Sequence, residues 1–210
     1  MTTAFVFPGQ GSQTVGMGKA LADAYPAAQA VFDEVDEALG EKLSAIIWEG
    51  PEDKLTLTEN AQPALMAVSM AVVRALSAEG VEVASAASYV AGHSLGEYSA
   101  LAAARALDVA DAAKLLRLRG EAMQTAVPVG EGAMAALLGV SLEVAREIAA
   151  VGAADGGVCD IANDNAEGQV VISGSRAAVE KAVEAAAGKG ARKSVLLPVS
   201  APFHCGLMAP

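Results

Sequence analysis

Histidine and cysteine are scarce in this chain, which has only two of each among its 210 residues. Cys159 and Cys205 form no CxxC pair, and together with His93 and His204 they lack the spacing of a zinc site. We therefore expect no metal centre. Two free thiols are expected instead, as in a protein of the reducing cytoplasm.

Basic residues are also few, since 14 Lys and Arg stand against 25 Asp and Glu and give a net charge of −11. A nucleic-acid-binding protein would need a basic face, so this class is excluded. The longest apolar run, residues 64–73, is interrupted by Ser69 and is shorter than the ~20 residues of a membrane span. The first eight residues lack the basic and apolar regions of a signal peptide. These absences predict a cytoplasmic chain without a membrane contact.

The chain nevertheless contains 53% hydrophobic residues, enough for a sizeable core. In its first part, short apolar runs typical of buried strands alternate with helical patterns. Strands are predicted over residues 3–7 and 88–91, and helices over 17–39, 59–78, 97–104 and 108–120. Thr58 is a candidate N-cap of the helix 59–78. This alternation predicts a parallel α/β sheet.

The pattern changes after Gly132, where the chain follows the order β-α-β-β-α-β of a ferredoxin-like unit. Strands are predicted over 133–138, 159–162, 169–173 and 195–197, with helices beginning after Ser141 and running along 179–186. The two middle strands are joined by a segment rich in Asn, Asp and Gly. We therefore predict a main domain formed by 1–129 and 198–210, with a ferredoxin-like subdomain inserted at 130–197.

The sequence Gly92-His93-Ser94-Leu95-Gly96 is a G-x-S-x-G string between a predicted strand and a predicted helix. This context is that of a nucleophile elbow, in which glycines permit a sharp turn and the serine hydroxyl is exposed at the sheet edge. The alternative is an ordinary glycine-rich turn with an N-cap serine. The early glycine loop at 9–18 fits neither the dinucleotide fingerprint nor the P-loop at its required positions. The elbow reading predicts an α/β-hydrolase-like sheet carrying Ser94 as a nucleophile.

A serine nucleophile needs a base and an oxyanion hole. His93 adjoins the serine and points in another direction at a tight turn, so His204 is the candidate base by elimination. The alternative for His204 is an ordinary loop histidine. The backbone N–H of Leu95, directly after the serine, is one predicted oxyanion donor, and that of Gln10 between two glycines is the other.

Several of these motifs together resemble the malonyl-CoA:acyl carrier protein transacylase family. The matching segments are Phe-Pro-Gly-Gln-Gly-Ser-Gln at 7–13, Gln62-Pro63-Ala64, Gly-His-Ser-Leu-Gly-Glu-Tyr-Ser-Ala at 92–100, Arg119-Gly120, Asn163-Asp164-Asn165 and Pro202-Phe203-His204-Cys205. Their order and spacing match along the whole chain. The resemblance also implies the ferredoxin-like insertion.

The resemblance implies a role for each of these residues. Ser94 would be the acylated nucleophile and His204 its base and later acid, with Gln10 and Leu95 as oxyanion donors. Arg119 would bind the malonyl carboxylate, since a guanidinium matches a carboxylate bidentately. The alternative is that Arg119, like Arg117, is a cation near a helix C-terminus.

Three further residues are expected to line the site. Gln62 and Asn165 are carried over from the family motifs. Phe203 is similar to a residue of malonyl-selective acyltransferase domains, where a ring would leave little room for an α-methyl branch. Since one methyl group is worth only about 1–3 kcal/mol, the selectivity would be incomplete.

The resemblance also implies the substrates. A malonyl group would pass from malonyl-CoA to Ser94 and then to the phosphopantetheine thiol of acyl carrier protein, in fatty acid or polyketide synthesis, with no bound cofactor. Carrier proteins of this kind are acidic, so docking would need a local basic patch. Lys189, Arg192 and Lys193 form the densest basic cluster; the alternative is a solvated helix end. We expect a monomer.

Two other interpretations of the function remain open. A serine esterase or thioesterase would share Ser94 and His204 but would have no need for Arg119. A non-catalytic chain would only bind CoA or the carrier. The family's chains carry a C-terminal segment that completes the main sheet and orients the histidine, whereas this sequence ends at Pro210. We therefore expect the C-terminal part of the main domain to be absent from it.

Overall fold

The computed structural model describes residues 2–128, 130–199 and 201–209. The chain forms two compact units, the first ending at Glu121 and the second beginning at Ala122. The predicted domain boundaries at 129/130 and 197/198 stay a prediction. Both parallel and antiparallel strand pairs are present, so the mixed α/β class is confirmed.

The first unit consists mainly of helices around one pair of strands. Its elements are β1 (Ala4–Phe7), α1 (Lys19–Ala24), α2 (Pro26–Leu39), α3 (Leu43–Glu49), α4 (Glu52–Thr56), α5 (Thr58–Ala78), α6 (Val83–Ala86), β2 (Tyr89–Gly92), α7 (Gly96–Ala103) and α8 (Val109–Thr125), whose last turn belongs to the second unit. The sequence reading missed the short helices α3, α4 and α6. It also ended α8 near Gly120, because a glycine often follows a helix, but here the helix continues for a further turn.

The strands β1 and β2 run parallel, as predicted, and pair from Ala4 with Tyr89 to Phe7 with Gly92. Since both strands end at the same edge, the loop that follows Phe7 and the turn that follows Gly92 leave the sheet side by side. The backbone N–H of His93 donates to the carbonyl of Phe7 at 3.0 Å and continues this pairing into the turn. This register brings the Gly9–Gly11 loop to the elbow serine.

The helix α5 is the central packing element of the first unit. By length and composition it is apolar enough to cross a membrane, which the sequence reading did not anticipate. More than half of its apolar window is buried, and its core residues Ala64, Met66 and Ala67 are fully covered. This burial is that of a core helix, and a core helix can be as long and as apolar as a membrane span.

The second unit is a four-stranded antiparallel sheet with two long helices. Its elements are β3 (Gly132–Leu138), α9 (Leu142–Ala153), β4 (Cys159–Ala166), β5 (Gln169–Ser175), α10 (Arg176–Ala186) and β6 (Lys193–Leu196). The strand order is β4-β5-β3-β6. The predicted N-cap is confirmed, since the Ser141 hydroxyl accepts a hydrogen bond from the backbone N–H of Val144 at 3.3 Å.

The predicted Asn/Asp/Gly-rich connection between β4 and β5 is wrong. Asn163, Asp164 and Asn165 lie within β4, which runs to Ala166, and the reversal is made by a tight turn at Glu167 and Gly168. The strand has two register irregularities against β5, one on each side of Asn163 and Asp164. Polar residues that are unusual in a strand are tolerated there because the ladder is bulged.

Candidate active site

Ser94 lies at a strained turn between β2 and α7. Its φ angle is 53°, a left-handed conformation that residues with a side chain rarely adopt. A Cβ atom on Gly92 would come within 1.9 Å of the carbonyl carbon of Gly96, so only glycine fits where the strand meets the helix. Two properties of the predicted elbow are therefore present, the strained serine and the close approach that requires glycine.

The turn presents Ser94 at the N-terminal end of α7. The backbone N–H groups of Gly96, Glu97 and Tyr98 donate to the carbonyls of the three preceding residues, His93, Ser94 and Leu95. The helix therefore starts directly after the serine, and its dipole favours negative charge on the hydroxyl oxygen. Leu95 itself is almost fully buried and anchors the turn in the core.

Arg119, on α8, is hydrogen-bonded to the elbow serine. Its Nη2 donates to Oγ of Ser94 at 3.0 Å, and its Nη1 donates to Oε1 of Gln62. The guanidinium carbon lies 6.0 Å from the ring centroid of Tyr98. Partial burial lowers the pKa of Arg119 from its ordinary value, while the nearby Tyr98 and Glu97 act in the opposite direction. Arginine keeps its charge in proteins, so a cation lies beside the hydroxyl.

The residue after Arg119 explains how α8 comes so near to α5. A Cβ atom on Gly120 would lie 2.5 Å from Cα of Glu59 and 2.8 Å from the carbonyl oxygen of Thr58. Only a glycine permits the two backbones to approach this closely. The close approach brings the Arg119 guanidinium within reach of Gln62, one turn further along α5.

Gln62 belongs to a hydrogen-bonded series that ends at the glycine loop. Its Nε2 donates to Oγ1 of Thr58 at 2.8 Å, and the Thr58 hydroxyl donates to Oε1 of Gln10 at 2.9 Å. The predicted N-cap role of Thr58 is wrong, because the N-cap is Leu57 and Thr58 is the first helical residue. Its hydroxyl binds the Gln10 side chain instead, and the two candidate residues Gln10 and Arg119 are thereby linked.

The interpretation of Arg117 as a cation near a helix C-terminus is wrong, because α8 continues to Thr125 and Arg117 makes side-chain contacts instead. Its Nη1 donates to Oδ1 of Asn60 at 2.6 Å, and its Nη2 pairs with the carboxylate of Glu41. Arg117 therefore ties α8 to α5 and to the connection between α2 and α3. The two arginines of α8 have separate partners within the first unit.

His204, in the second unit, lies in a strained turn. Its φ angle is 59°, and its side chain is exposed. The turn is held by residues on both sides of it, since Sγ of Cys205 contacts the Pro202 carbonyl at 3.1 Å and the Gly206 N–H donates to Oδ2 of Asp160 at 2.8 Å. This backbone is therefore fixed although the imidazole is accessible.

Phe203 is packed inside the second unit. It is 7% exposed and lies in an apolar cluster with Met134, Val171 and Ala201. Asn165 is exposed near the end of β4. The expected contributions of both residues to a substrate pocket stay predictions.

The basic cluster is only partly available for a partner. Lys189 is half-buried and its Nζ pairs with Oε2 of Glu147 at 2.8 Å, which holds the pKa of that carboxyl below its ordinary value. Arg192 and Lys193 are exposed. Within the basic cluster, the positive charges accessible to another protein are therefore those of Arg192 and Lys193.

The two cysteines are free, as expected. Burial raises the pKa of Cys159 to about 11, so its thiol is protonated and unreactive at neutral pH. Within residues 2–128, 130–199 and 201–209, no three His, Cys, Asp or Glu side chains are grouped so as to hold a metal ion.

The sequence reading missed three contributors to this site, namely Thr58, Tyr98 and the packing role of Gly120. A signal existed for Thr58, which lies four residues before Gln62 and so faces the same side of α5. No signal identified Tyr98 or the Gly120 approach, because both depend on how α7 and α8 pack against their neighbours.

A serine at a strained strand-to-helix turn, at the edge of a parallel strand pair, is the arrangement of α/β proteins that carry a nucleophilic serine. The chain also matches the family model described as "Acyl transferase domain" over residues 4–209. It belongs to this acyl transferase domain family.

Individual relatives agree with the family model. The chain is 50% identical over 207 residues to the malonyl CoA-acyl carrier protein transacylase of Bacillus subtilis, covering 99% of this chain and 64% of that protein. It is 47% identical to the protein of the same name from Escherichia coli K12, covering 99% of this chain and 66% of the relative. The chain therefore spans slightly less than two thirds of the length of these curated relatives.

A solved structure has the same fold. The acyl-carrier-protein-S-malonyltransferase of Bartonella henselae superposes with a TM-score of 0.95 at 61% identity, covering 99% of this chain and 66% of that chain.

Proposed function

We propose that this chain transfers a malonyl group from malonyl-CoA to the phosphopantetheine thiol of acyl carrier protein, through a malonyl ester on Ser94. The observation that carries the proposal is the Arg119 guanidinium, 3.0 Å from the Ser94 hydroxyl. In a malonyl ester on that oxygen, one methylene separates the ester carbonyl from the carboxylate, which therefore lies within reach of this cation. The names of the relatives, malonyl CoA-acyl carrier protein transacylase, support the same substrate.

In the first half-reaction, Oγ of Ser94 attacks the thioester carbonyl while His204 takes its proton. The C–S bond then breaks, and the CoA thiolate leaves with the proton that His204 returns. In the second half-reaction, the carrier thiol loses its proton to His204 and attacks the ester carbonyl, the C–Oγ bond breaks, and His204 returns the proton to Oγ of Ser94. Both tetrahedral oxyanions would be stabilised by the N–H groups of Leu95 and Gln10.

Arg119 has a second effect in this proposal. A fixed cation beside Oγ favours the negative charge that develops as the hydroxyl is deprotonated, and the α7 dipole acts in the same direction. Gln62 would hold the guanidinium in place, and Asn165 and Phe203 would shape the acyl pocket. The CoA thioester and the phosphopantetheine thiol are substrates here, and we propose no resident cofactor.

The finer architecture belongs to the same proposal. The order β-α-β-β-α-β and the strand order of the second unit support a ferredoxin-like subdomain at 130–197. The main domain would be α/β-hydrolase-like and formed by 1–129 and 198–210. We further propose a cytoplasmic monomer that acts in fatty acid or polyketide synthesis. One solved relative at 44% identity and a TM-score of 0.94, covering 99% of this chain and 66% of its own, is a malonyl-transacylase in complex with a type II PKS acyl-carrier protein.

The proposal is tested by the intact mass of the purified chain after brief exposure to malonyl-CoA. We expect one malonyl group on the protein, followed by its loss when the phosphopantetheinylated carrier protein is added. Mapping the modified peptide should locate the group on Ser94. A folded chain that acquires no malonyl group would contradict the proposal. Release of the group to water as fast as to the carrier would instead identify a thioesterase.

Carrier docking would use Arg192 and Lys193, which are exposed while Lys189 is engaged by Glu147. Reversing both charges, with Arg192→Glu and Lys193→Glu, should raise the carrier KM by about tenfold and weaken its salt dependence, with kcat unchanged. The matched control is Arg74→Glu with Lys114→Glu, which changes the net charge equally at exposed positions of the first unit. An unchanged carrier KM in the first variant would exclude this surface.

A further inference from the structure

A one-directional series of hydrogen bonds connects the two sides of the candidate site. We call Arg119, Gln62, Thr58 and Gln10, in that order, the side-chain relay. Arg119 Nη1 donates to Gln62 Oε1, Gln62 Nε2 donates to Thr58 Oγ1 at 2.8 Å, and the Thr58 hydroxyl donates to Gln10 Oε1 at 2.9 Å. All four residues belong to the first unit.

The chemistry of the end residue fixes the direction of the relay. A guanidinium can only donate, so the Gln62 amide must turn its oxygen to Arg119 and its NH₂ group to Thr58. The Thr58 hydroxyl accepts this bond and has one proton to give, which goes to Gln10. Each amide orientation is therefore determined by its neighbour, and only Thr58 both accepts and donates through a single atom.

The middle of the relay is closed to solvent. Thr58 is 0% exposed and Gln62 is 1% exposed. Water therefore cannot replace a missing partner without opening the core, and a polar atom left unpaired there carries a large penalty. Thr58 also lies where the backbone of α8 comes close to α5, since a Cβ atom on Gly120 would meet the Thr58 carbonyl oxygen.

We propose that Thr58 is a positioning residue that couples the carboxylate-binding Arg119 to the Gln10 loop of the oxyanion hole. This inference rests on the proposed function of both ends. Through Gln62, the Thr58 hydroxyl keeps an acceptor turned to Arg119. Through the Gln10 side chain, it holds the loop whose backbone N–H would meet the oxyanion. One hydroxyl thus sets the geometry of both groups.

The decisive variant is Thr58→Val, which keeps the branched shape and removes the hydroxyl. The Gln62 NH₂ then loses the Thr58 acceptor and the Gln10 oxygen loses the Thr58 donor. A rotated Gln62 amide would present its NH₂ to Arg119, which cannot accept it. We expect Thr58→Val to lower kcat/KM for malonyl transfer by about 30-fold, and Thr58→Ser to stay within about threefold of the parent.

Two comparisons separate coupling from a general structural defect. With acetyl-CoA, which has no carboxylate, Thr58→Val should lose less, about tenfold, because only the Gln10 contribution and the effect of Arg119 on Ser94 Oγ are at stake. In the Arg119→Ala background, the effect of Thr58→Val on malonyl transfer should fall to the Gln10 contribution alone, about fivefold. The variant Gln10→Met removes the acceptor at the half-exposed end without touching the buried hydroxyl, and should show that same loss with both substrates.

The outcomes are distinct. If the parent chain takes no malonyl group, the proposed function has failed and the relay is irrelevant to it. If the parent is active and Thr58→Val matches it, the positioning role is overturned. Equal losses in Thr58→Ser and Thr58→Val would also overturn it, since the hydroxyl would then not matter.

An effect of Thr58→Val that is the same with and without Arg119 would exclude coupling to the guanidinium. If Thr58→Val fails to fold, the Gln10→Met comparison decides, and full parental rates in that variant overturn the proposal.

Discussion

Replacing Ser94 with alanine is expected to abolish the malonyl-enzyme and to lower malonyl transfer by about 10⁴-fold or more. Removing the nucleophile of a serine site leaves only substrate binding and oxyanion stabilisation, which account for a small fraction of the rate. The measurement is the rate of carrier malonylation together with the intact mass of the protein. The φ angle of 53° at this position should be kept, because alanine accepts the conformation no worse than serine does.

The control for this variant is Ser85→Ala. Ser85 is an exposed serine of the same unit, and its hydroxyl donates to the Glu82 carbonyl at 3.1 Å. The Ser85→Ala protein should be acylated on Ser94 at the parental rate. A malonyl group that remains on the Ser94→Ala protein would show that another residue is the nucleophile.

Replacing Arg119 with alanine should change which acyl group is accepted. We expect kcat/KM for malonyl-CoA to fall by about 100-fold, because the charge-assisted bonds to the carboxylate are lost. Transfer from acetyl-CoA should fall less or rise, because the acetyl group has no carboxylate that Arg119 could bind. The ratio of the two rates, measured by the mass of the acyl-enzyme, reports the change in selectivity.

The control for Arg119 is provided by its neighbour on the helix. Arg117→Ala breaks the contacts with Asn60 and Glu41 and should lower the free energy of unfolding while leaving the malonyl-to-acetyl ratio unchanged. A second variant, Arg119→Lys, keeps the charge but not the two-pronged geometry, and should recover only part of the selectivity. If the ratio is the same in Arg119→Ala as in the parent, the carboxylate-binding role is wrong.

The elbow was predictable from the sequence because its determinants are local. Two glycines around a serine, placed between a strand and a helix, specify a turn that other residues cannot adopt. The N-cap at Ser141 and the face of α10 were predictable for the same reason, since each depends on residues within one or two turns.

The rest of the site depends on contacts between distant segments. Thr58 looked like an N-cap because a threonine before a helical run is the usual cap. Its hydroxyl binds Gln10, 48 residues earlier in the chain. The Asn163-Asp164-Asn165 segment looked like a loop because its residues disfavour strands, yet pairing with β5 overrides that preference. No local pattern indicates which of two arginines on α8 faces the serine.

The side-chain relay has a consequence for how the site responds to acidity. Its three amide and hydroxyl groups do not titrate, and arginine remains protonated throughout the physiological range even with its pKa lowered. The scaffold that orients the carboxylate cation and the glycine loop is therefore electrically constant. Recognition of the acyl group through the relay should therefore be independent of pH in this range.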